Sequence, residues 1–488
     1  MNEKRPLVYL VNPPMAHDQR DGRISKIIKN LFFNSPPLGL AYIAAVLEQH
    51  EIPVRIMDAG VEGWSFEETV NRLAAARPDI VGITSSTIQS INLVRLAQMV
   101  RFRLPGATIV LGGSYVSSLP DEAMANDCYD IACIGEGEYT MLELVEALRS
   151  GGDLSSVKGI YFRKDGKVVR TEPRPPIQNL DELPLPARHL LPLGKYVPQP
   201  NDGPYLPKFS MITSRGCPYR CIFCDHSTFG ISYRSHSAKR IVDEMEELVR
   251  RYGVQDIAFV DSLFMVSRKR VLDIADEIIA RGLKVHWTCT TRANIADEPT
   301  LRRMKESGCW RTRIGIEAGN ADVLSFIRKG VTREQIQEVT QTAERLGLHP
   351  KGFFMIAHPT DTEATIRETI EFAKSLPLTD ITVQFNTPMP GTEQWEFFRK
   401  YGTLTTEDWS SFTYWEPVFV PNGLNVDKIL ELYRDFYREF YLRPIIIWRH
   451  LKMLKGIDDV KRFVRGLQVL LGIFGPMTRR KREPRKAT

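Results

Sequence analysis

Two stretches of this chain alternate short apolar runs with amphipathic segments, and each reads as a parallel α/β sheet. In residues 1–150, strands are predicted at 7–11, 54–57, 80–83, 108–111 and 130–134, with helices over 38–49, 91–103 and 139–149. Every strand runs into small or polar residues: Asn12-Pro13-Pro14, Asp58-Ala59-Gly60, Thr84-Ser85-Ser86-Thr87, Gly112-Gly113-Ser114 and Gly135-Glu136-Gly137-Glu138. Ligands of open α/β sheets bind at the carboxyl ends of the strands, where such loops gather. Glycine there lets a ligand approach the backbone. No G-x-G-x-x-G follows the first strand, so a dinucleotide site is not expected.

Residues 151–209 read as a connector. Segments 159–163 and 167–170 flank an Asp165-Gly166 turn, a hairpin signal, and the Pro-rich stretch 172–198 is too broken for helix or sheet. The alternation resumes over residues 210–395. Strands are predicted at 209–214, 256–260, 285–290, 311–316, 351–357 and 380–385, with helices at 238–251, 268–280, 298–307, 333–346 and 363–375. Six strand–helix units suit a partial barrel whose site lies at the carboxyl ends of its strands. Residues 396–488 read as a helical region with a basic tail, in which Asn425 is an N-cap and Pro444 a break. Trp409, Tyr414 and Trp415 there either stack on a substrate or pack the helical cap.

The most specific chemistry is Cys217, Cys221 and Cys224, spaced C-x3-C-x2-C in the loop after the first strand of the second sheet. Three thiolates so placed can hold three irons of a cubic [4Fe–4S] cluster. No fourth cysteine lies nearby, which leaves one iron open to bind a small molecule. Structural zinc with His226 as fourth ligand is the plain alternative, but zinc sites normally take their ligands in pairs. With Phe223 one residue before the last cysteine, the stretch resembles the radical S-adenosylmethionine superfamily. The resemblance implies that the amine and carboxylate of S-adenosylmethionine chelate the open iron. It further implies that one electron from the cluster cleaves the sulfonium to methionine and a 5′-deoxyadenosyl radical. Gly315-Ile316-Glu317-Ala318-Gly319 matches the superfamily's Gly-x-Glu-Ser/Ala-Gly. By resemblance Glu317 contacts the amino group or ribose of S-adenosylmethionine; a helix-capping carboxylate is the alternative. Arg292 is expected to meet the methionine carboxylate. The segment Gly352-Phe353-Phe354-Met355-Ile356 is expected either to line the adenine pocket or to be barrel core.

Residues 1–150 resemble the cobalamin-binding domain found ahead of many such barrels. The likeness rests on Asn12-Pro13-Pro14, Pro36-Pro37-Leu38-Gly39-Leu40, Gly112-Gly113-Ser114 and Gly135-Glu136-Gly137-Glu138. It makes Asn12, Asp58, Ser85, Ser86, Gly112, Gly113, Ser114, Glu136 and Gly137 the expected cobalamin contacts. A degenerate flavodoxin-like domain that binds nothing is the alternative. The D-x-H-x-x-G motif that supplies a lower axial histidine is absent, and His17 and His50 lie in the wrong context, so no protein histidine is expected on cobalt. Residues 385–392 resemble the Pro-x-Pro-Gly-Thr loop that closes the barrel on the substrate side in the cobalamin-dependent group. The implied fold is α/β: an N-terminal doubly wound, Rossmann-like parallel sheet, then a partial (β/α)6 TIM-type barrel and a C-terminal helical cap.

The chain has 488 residues, room for about three domains. Seven cysteines, an odd number with three clustered, fit a reduced cytoplasm rather than a disulfide framework. Cys128 and Cys133 read as core; Cys289 and Cys309 read as core or as hydrogen donors. A net charge of +6 is mild, and no nucleic-acid partner is expected. Much of that charge lies in the tail from Arg479 to Lys486, after an apolar stretch at 464–474. Such a pairing can rest on an anionic membrane surface, or the tail can simply be solvated. No run reaches the ~18 apolar residues of a membrane-spanning helix.

Over residues 1–455 the chain resembles cobalamin-dependent radical S-adenosylmethionine enzymes. Methyl transfer to an unactivated carbon is the leading expectation: one S-adenosylmethionine methylates cobalamin, and a second yields the radical that abstracts a substrate hydrogen. Radical-initiated oxidation or cyclisation, as in the anaerobic magnesium-protoporphyrin cyclases, is the alternative. A cobalamin or redox sensor without turnover is a third reading, against which the cysteines and Glu317 argue. Transfer-RNA methylthiolation needs a second cysteine triad, which Cys128 and Cys133 cannot supply. The expected partners are a small-molecule substrate, lipid-like or tetrapyrrole, and a low-potential donor such as flavodoxin or ferredoxin. The expected location is cytoplasmic, with peripheral contact to the inner face of the membrane.

Overall fold

A computed structural model describes residues 5–14, 35–84, 86–197, 203–454 and 456–475. His17, Ser85 and the basic tail lie outside the described residues. The first unit contains β1 (Val8–Asn12), α1 (Leu38–Gln49), β2 (Val54–Asp58), α2 (Phe66–Ala76), β3 (Ile80–Thr84), α3 (Ser90–Arg103), β4 (Thr108–Gly112), β5 (Ile131–Cys133) and α4 (Glu138–Ser150). Its strands run in the order β2-β1-β3-β4-β5, all parallel. Strand alternation builds both faces. Val8 and Leu10 of β1 pack with α1 and α4 on one side, and Val11 packs with α2 and α3 on the other.

Helix α2 is absent from the sequence-based expectation. Ser65 caps it by accepting from Glu68 N at 3.0 Å, and Phe66, Val70 and Leu73 are buried at helical spacing. The connector also differs. Its hairpin, β6 (Ile160–Lys164) and β7 (Lys167–Arg170), continues the first sheet, with β6 antiparallel to β5. Covering the bare edge of β5 buries Ile160 and Phe162 in the same core. The segment between this hairpin and Lys208 straps the two units together. Arg188, fully buried, lies 2.6 Å from Glu244 and donates to Ser210 O at 3.0 Å. Asp181 accepts from Ser237 N at 3.0 Å.

The second unit contains β8 (Lys208–Met211), β9 (Ser214–Arg215), β10 (Arg234–Ser235), α5 (Ala238–Tyr252), β11 (Asp256–Phe259), α6 (Arg268–Ala280), β12 (His286–Thr291), α7 (Glu298–Glu306), β13 (Cys309–Glu317), α8 (Arg333–Arg345), β14 (Lys351–Ile356), α9 (Glu363–Ser375) and β15 (Asp380–Phe385). Six of these strands form an open half-barrel in the order β15-β14-β13-β12-β11-β8, all parallel. Phe259 and Phe264 stack in its core with centroids 4.9 Å apart, beside Trp287. Cys289 and Cys309 are buried there too. Cys309 opens β13, at the end of the strand opposite the cysteine loop.

The chain ends in α10 (Glu393–Tyr401), α11 (Val426–Tyr441), α12 (Pro444–Lys452) and α13 (Ile457–Phe474). Asn425 caps α11 by accepting from Lys428 N at 2.9 Å. Pro444 opens α12, where its missing N–H costs no helical hydrogen bond. Trp409 packs on Trp395 and Phe412 and donates to Glu122 Oε1 at 2.7 Å, so it packs the cap against the first unit. Among the described residues no helix is long and apolar enough to cross a membrane.

Candidate metal and cofactor site

The cysteine loop springs from a rigid base. Asp261, at the end of β11, accepts from Thr213 N at 2.6 Å and from Ser214 Oγ at 2.7 Å. Gly216 then takes φ +78°, and a Cβ there would lie 2.2 Å from Ser232 O, so only glycine turns the chain into the loop. Within it, Ile222 donates to Ile327 O at 3.3 Å and accepts from Gln394 N at 2.9 Å. Cys221 is buried, Cys217 half-buried and Cys224 exposed.

Two cations flank the sulfurs. Arg292 Nη1 donates to Cys221 Sγ at 3.4 Å, and its guanidinium stacks 3.7 Å over Tyr219. Arg292 Nη2 is buried with no partner. A hydrogen bond from Cys224 lowers the Cys221 thiol to about 6 against burial, helped by Lys329 and Arg292. The same hydrogen bond raises Cys224. A thiolate is the ligating form, and the loop favours one before any metal arrives.

Glu317 ends β13 at φ +68°, with its carboxylate 2.7 Å from Lys329 Nζ and both groups largely buried. A Cβ on Gly315 would sit 2.8 Å from each of those two charged atoms. The pair therefore fits because residue 315 is glycine. Lys329 is not among the sequence-derived candidates; a lysine before a glycine turn is too common to stand out. Phe223 lies 6.3 Å from the ring of His358, another residue the sequence does not single out. His358 is fully buried, accepts from Asn386 Nδ2 at 2.8 Å, and is lowered to about 3 by burial and then Lys329. Asp361, on the same loop, is raised to about 6 by burial. Burial, then Cys224 and Asp225, raises Tyr414 to about 12.

Among the described residues no three His, Cys, Asp or Glu side chains converge on a point that one metal ion could occupy. A zinc ion needs such convergence, whereas a cubic cluster spreads three cysteines over three irons. The thiols, the flanking cations and the orphaned Nη2 fit a cluster with a carboxylate-bearing ligand beside it.

The carboxyl end of the first sheet is arranged differently. Asn12 Nδ2 donates to Asp58 Oδ1 at 2.9 Å, and Tyr196 Oη donates to Asp58 Oδ2 at 2.8 Å. Burial raises the Asp58 carboxyl. Ser86 Oγ donates to Gln89 Oε1 at 3.1 Å. Gly113 turns the chain at φ +100° before the short helix Ser114–Ser118. A Cβ on Gly112 would meet nothing within 4 Å. That open, small-residue floor fits a large flat cofactor. Gly137 lies under Ile43, 2.9 Å from where its Cβ would be.

Glu136 and Glu138 turn toward the second unit. Glu136 lies 2.6 Å from Arg234 and 3.5 Å from Arg215 and accepts from Ile177 N at 2.9 Å. Glu138 lies 2.5 Å from Arg215. All four side chains are at most 5% exposed. The two edges also touch just past Cys224. Ser118 Oγ donates to Asp225 Oδ2 at 2.8 Å and lies 2.7 Å from Ser227 Oγ. Gly391 packs there at φ +82°, where a Cβ would be 3.0 Å from both Ser118 and Asp225.

Residues 211–373 match the family model of the radical SAM superfamily, and residues 24–145 match that of the B12 binding domain. An uncharacterized methyltransferase of Pyrococcus horikoshii is 36% identical over 463 residues, covering 94% of this chain and 97% of that protein. The chain belongs to the radical SAM superfamily. It is an enzyme of the cobalamin-binding branch, with a [4Fe–4S] cluster, S-adenosylmethionine and cobalamin as cofactors. The anaerobic magnesium-protoporphyrin IX monomethyl ester cyclase of Rubrivivax gelatinosus is 29% identical over 424 residues, covering 85% of this chain and 75% of the cyclase. The solved structure of the cobalamin-dependent S-adenosylmethionine radical enzyme OxsB, with aqua-cobalamin and S-adenosylmethionine bound, matches with a TM-score of 0.74 at 16% identity. It covers 96% of this chain and 72% of that one. At that identity the likeness is one of fold.

Proposed function

We propose that this enzyme transfers the methyl group of S-adenosylmethionine to an unactivated carbon of a small-molecule substrate. The observation that carries the reading is the contact of Ser118 with Asp225 and Ser227, which sets the open end of the first sheet beside the cysteine loop. A substrate between the two edges would reach both. In this reading Cys217, Cys221 and Cys224 hold three irons of the cluster. The cluster, when bound, supplies the electron that splits S-adenosylmethionine to the 5′-deoxyadenosyl radical.

Arg292 offers its unpartnered Nη2 to the methionine carboxylate, and Glu317 turns toward the amino group from its pair with Lys329. Phe223 and Gly315 shape the floor beneath. Cobalamin, when bound, supplies the methyl group. Ser86, Gly112, Gly113, Ser114 and Gly137 line its seat, together with Ser85 outside the described residues. Asn12, Asp58 and Glu136 support that seat from behind, because their polar atoms are engaged with their own chain. The Tyr414 phenol stays protonated at neutral pH, raised to about 12, and offers a donor beside Cys224. The hairpin β6–β7 belongs with the first domain in this reading. A flavodoxin or ferredoxin in a reducing cytoplasm would deliver the electron.

The test is anaerobic incubation of the reconstituted enzyme with methyl-labelled S-adenosylmethionine, hydroxocobalamin and a low-potential reductant. Label on cobalamin together with 5′-deoxyadenosine is the expected result. Deoxyadenosine without labelled cobalamin would favour cyclase-like chemistry. Neither product, with Cys217→Ala behaving identically, would overturn the radical mechanism.

A further inference from the structure

Seventeen large apolar side chains are exposed among the described residues, and nine of them fall within residues 442–471. They form two stripes. On α12, Ile445, Trp448 and Leu451 recur at helical spacing, with Trp448 55% exposed. On α13, Val460, Val464, Leu467 and Leu471 form a second stripe along the outer face. An adjoining side of α13 is anchored, since Leu470, Ile473 and Phe474 pack on the barrel core. A surface helix ordinarily turns its polar face to water, and an apolar patch of this extent marks an interface.

Charge decides what covers it. Residues 442–488 hold 13 Lys and Arg against three Asp and Glu, a net +10 in a chain whose total is +6. The remaining 441 residues are therefore net −4. Lys452 Nζ lies 5.1 Å from the Trp448 ring, and Arg465 is exposed one position past Val464, about 100° further round α13. A second copy docking across a two-fold axis would set these cations against themselves. An anionic bilayer accepts both, taking the apolar stripes into the headgroup–acyl boundary and the cations onto its phosphates. We infer that α12 and α13 form a docking surface for an anionic phospholipid bilayer. The surface lies on the C-terminal cap, apart from the cysteine loop, and the inference is independent of methyl transfer.

Flotation of the full chain with vesicles of phosphatidylglycerol or of phosphatidylcholine tests it. The bound fraction should be at least about tenfold higher on phosphatidylglycerol. It should fall in ~1 M salt, where the Debye length is about 3 Å. Val464→Glu with Leu467→Glu should lower phosphatidylglycerol binding about tenfold, and Lys452→Glu with Arg465→Glu should reduce the lipid preference. Cluster absorbance and far-ultraviolet circular dichroism should stay unchanged in both, which separates lost docking from lost folding. Equal binding to the two lipids, or no flotation with either, would overturn the inference. So would a wild-type dimer in sedimentation that Val464→Glu with Leu467→Glu converts to monomer.

Discussion

At the mouth of the half-barrel three cysteines and one nitrogen of Arg292 are left for ligands, while at the carboxyl end of the first sheet Asn12, Asp58 and Glu136 are engaged with the chain itself. Both edges are parallel strands opening into short loops. The mouth keeps three free thiols and a buried, unpartnered nitrogen on Arg292. At the sheet end, Asn12, Asp58 and Tyr196 satisfy one another, and Glu136 and Glu138 hold Arg234 and Arg215. On the proposed assignment, the difference reflects what each edge would hold. A compact, charged ligand set is gripped by side chains, whereas a large flat cofactor is seated mainly by shape and backbone, with few polar contacts. Substitutions at the mouth should therefore remove chemistry and spare the fold. Substitutions at the sheet end should do the reverse.

The largest effect should come from Cys217→Ala. Cluster absorbance and 5′-deoxyadenosine formation should vanish, while stability in urea stays within about 1 kcal/mol of the wild type. An unfolded variant would break the contrast. Next comes Glu138→Gln, which leaves Arg215 buried with only Glu136 at 3.5 Å. Breaking a buried pair from one side costs about 3 kcal/mol or more, and urea midpoints should show it. Reductive cleavage of S-adenosylmethionine per folded molecule should survive. Replacing both partners, Glu138→Leu with Arg215→Met, should recover much of the loss.

His358 sharpens the comparison through pH. Its folded pKa of about 3 lies below the unfolded value of about 6.5, so the unfolded chain takes the proton first. Its contribution is full above the unfolded pKa and is lost as pH falls toward the folded one, about 2 kcal/mol at pH ~5. Asp361, raised to about 6, works in the opposite sense and loses stability as pH rises from about 4 to 6. His358→Gln removes only the first effect. The stability difference between wild type and variant should therefore change by about 2 kcal/mol from pH ~7 to ~5; a constant difference would contradict the neutral buried imidazole. The smallest effect should be Tyr196→Phe, which removes the hydrogen bond to Asp58 and costs about 1 kcal/mol without changing 5′-deoxyadenosine yield.

Strands and helices of both units are legible in the sequence because they carry plain hydrophobic periods. The β15 strand and helices α6 and α9 fall where the pattern puts them. Helix α2 carries a helical period of its own in Phe66, Val70 and Leu73, with Ser65 and Glu68 framing its start, so it is as legible as the rest and no physical reason hides it. The hairpin reads as connector because nothing local tells β6 that β5 has a bare edge. The cysteine triad is legible because its ligands are close in sequence. Arg215, Glu138, Lys329 and His358 are not, because each gains its meaning from a partner that only folding delivers. The Glu138–Arg215 pair spans 77 positions, and neither member sits in a motif that names the other.

If the two edges serve one substrate, the cofactors they hold must be close. Electron paramagnetic resonance of the reduced cluster in enzyme loaded with cob(II)alamin tests it directly. Broadened or split signals that neither cofactor gives alone are expected. A spectrum equal to the sum of the two separate spectra would contradict it.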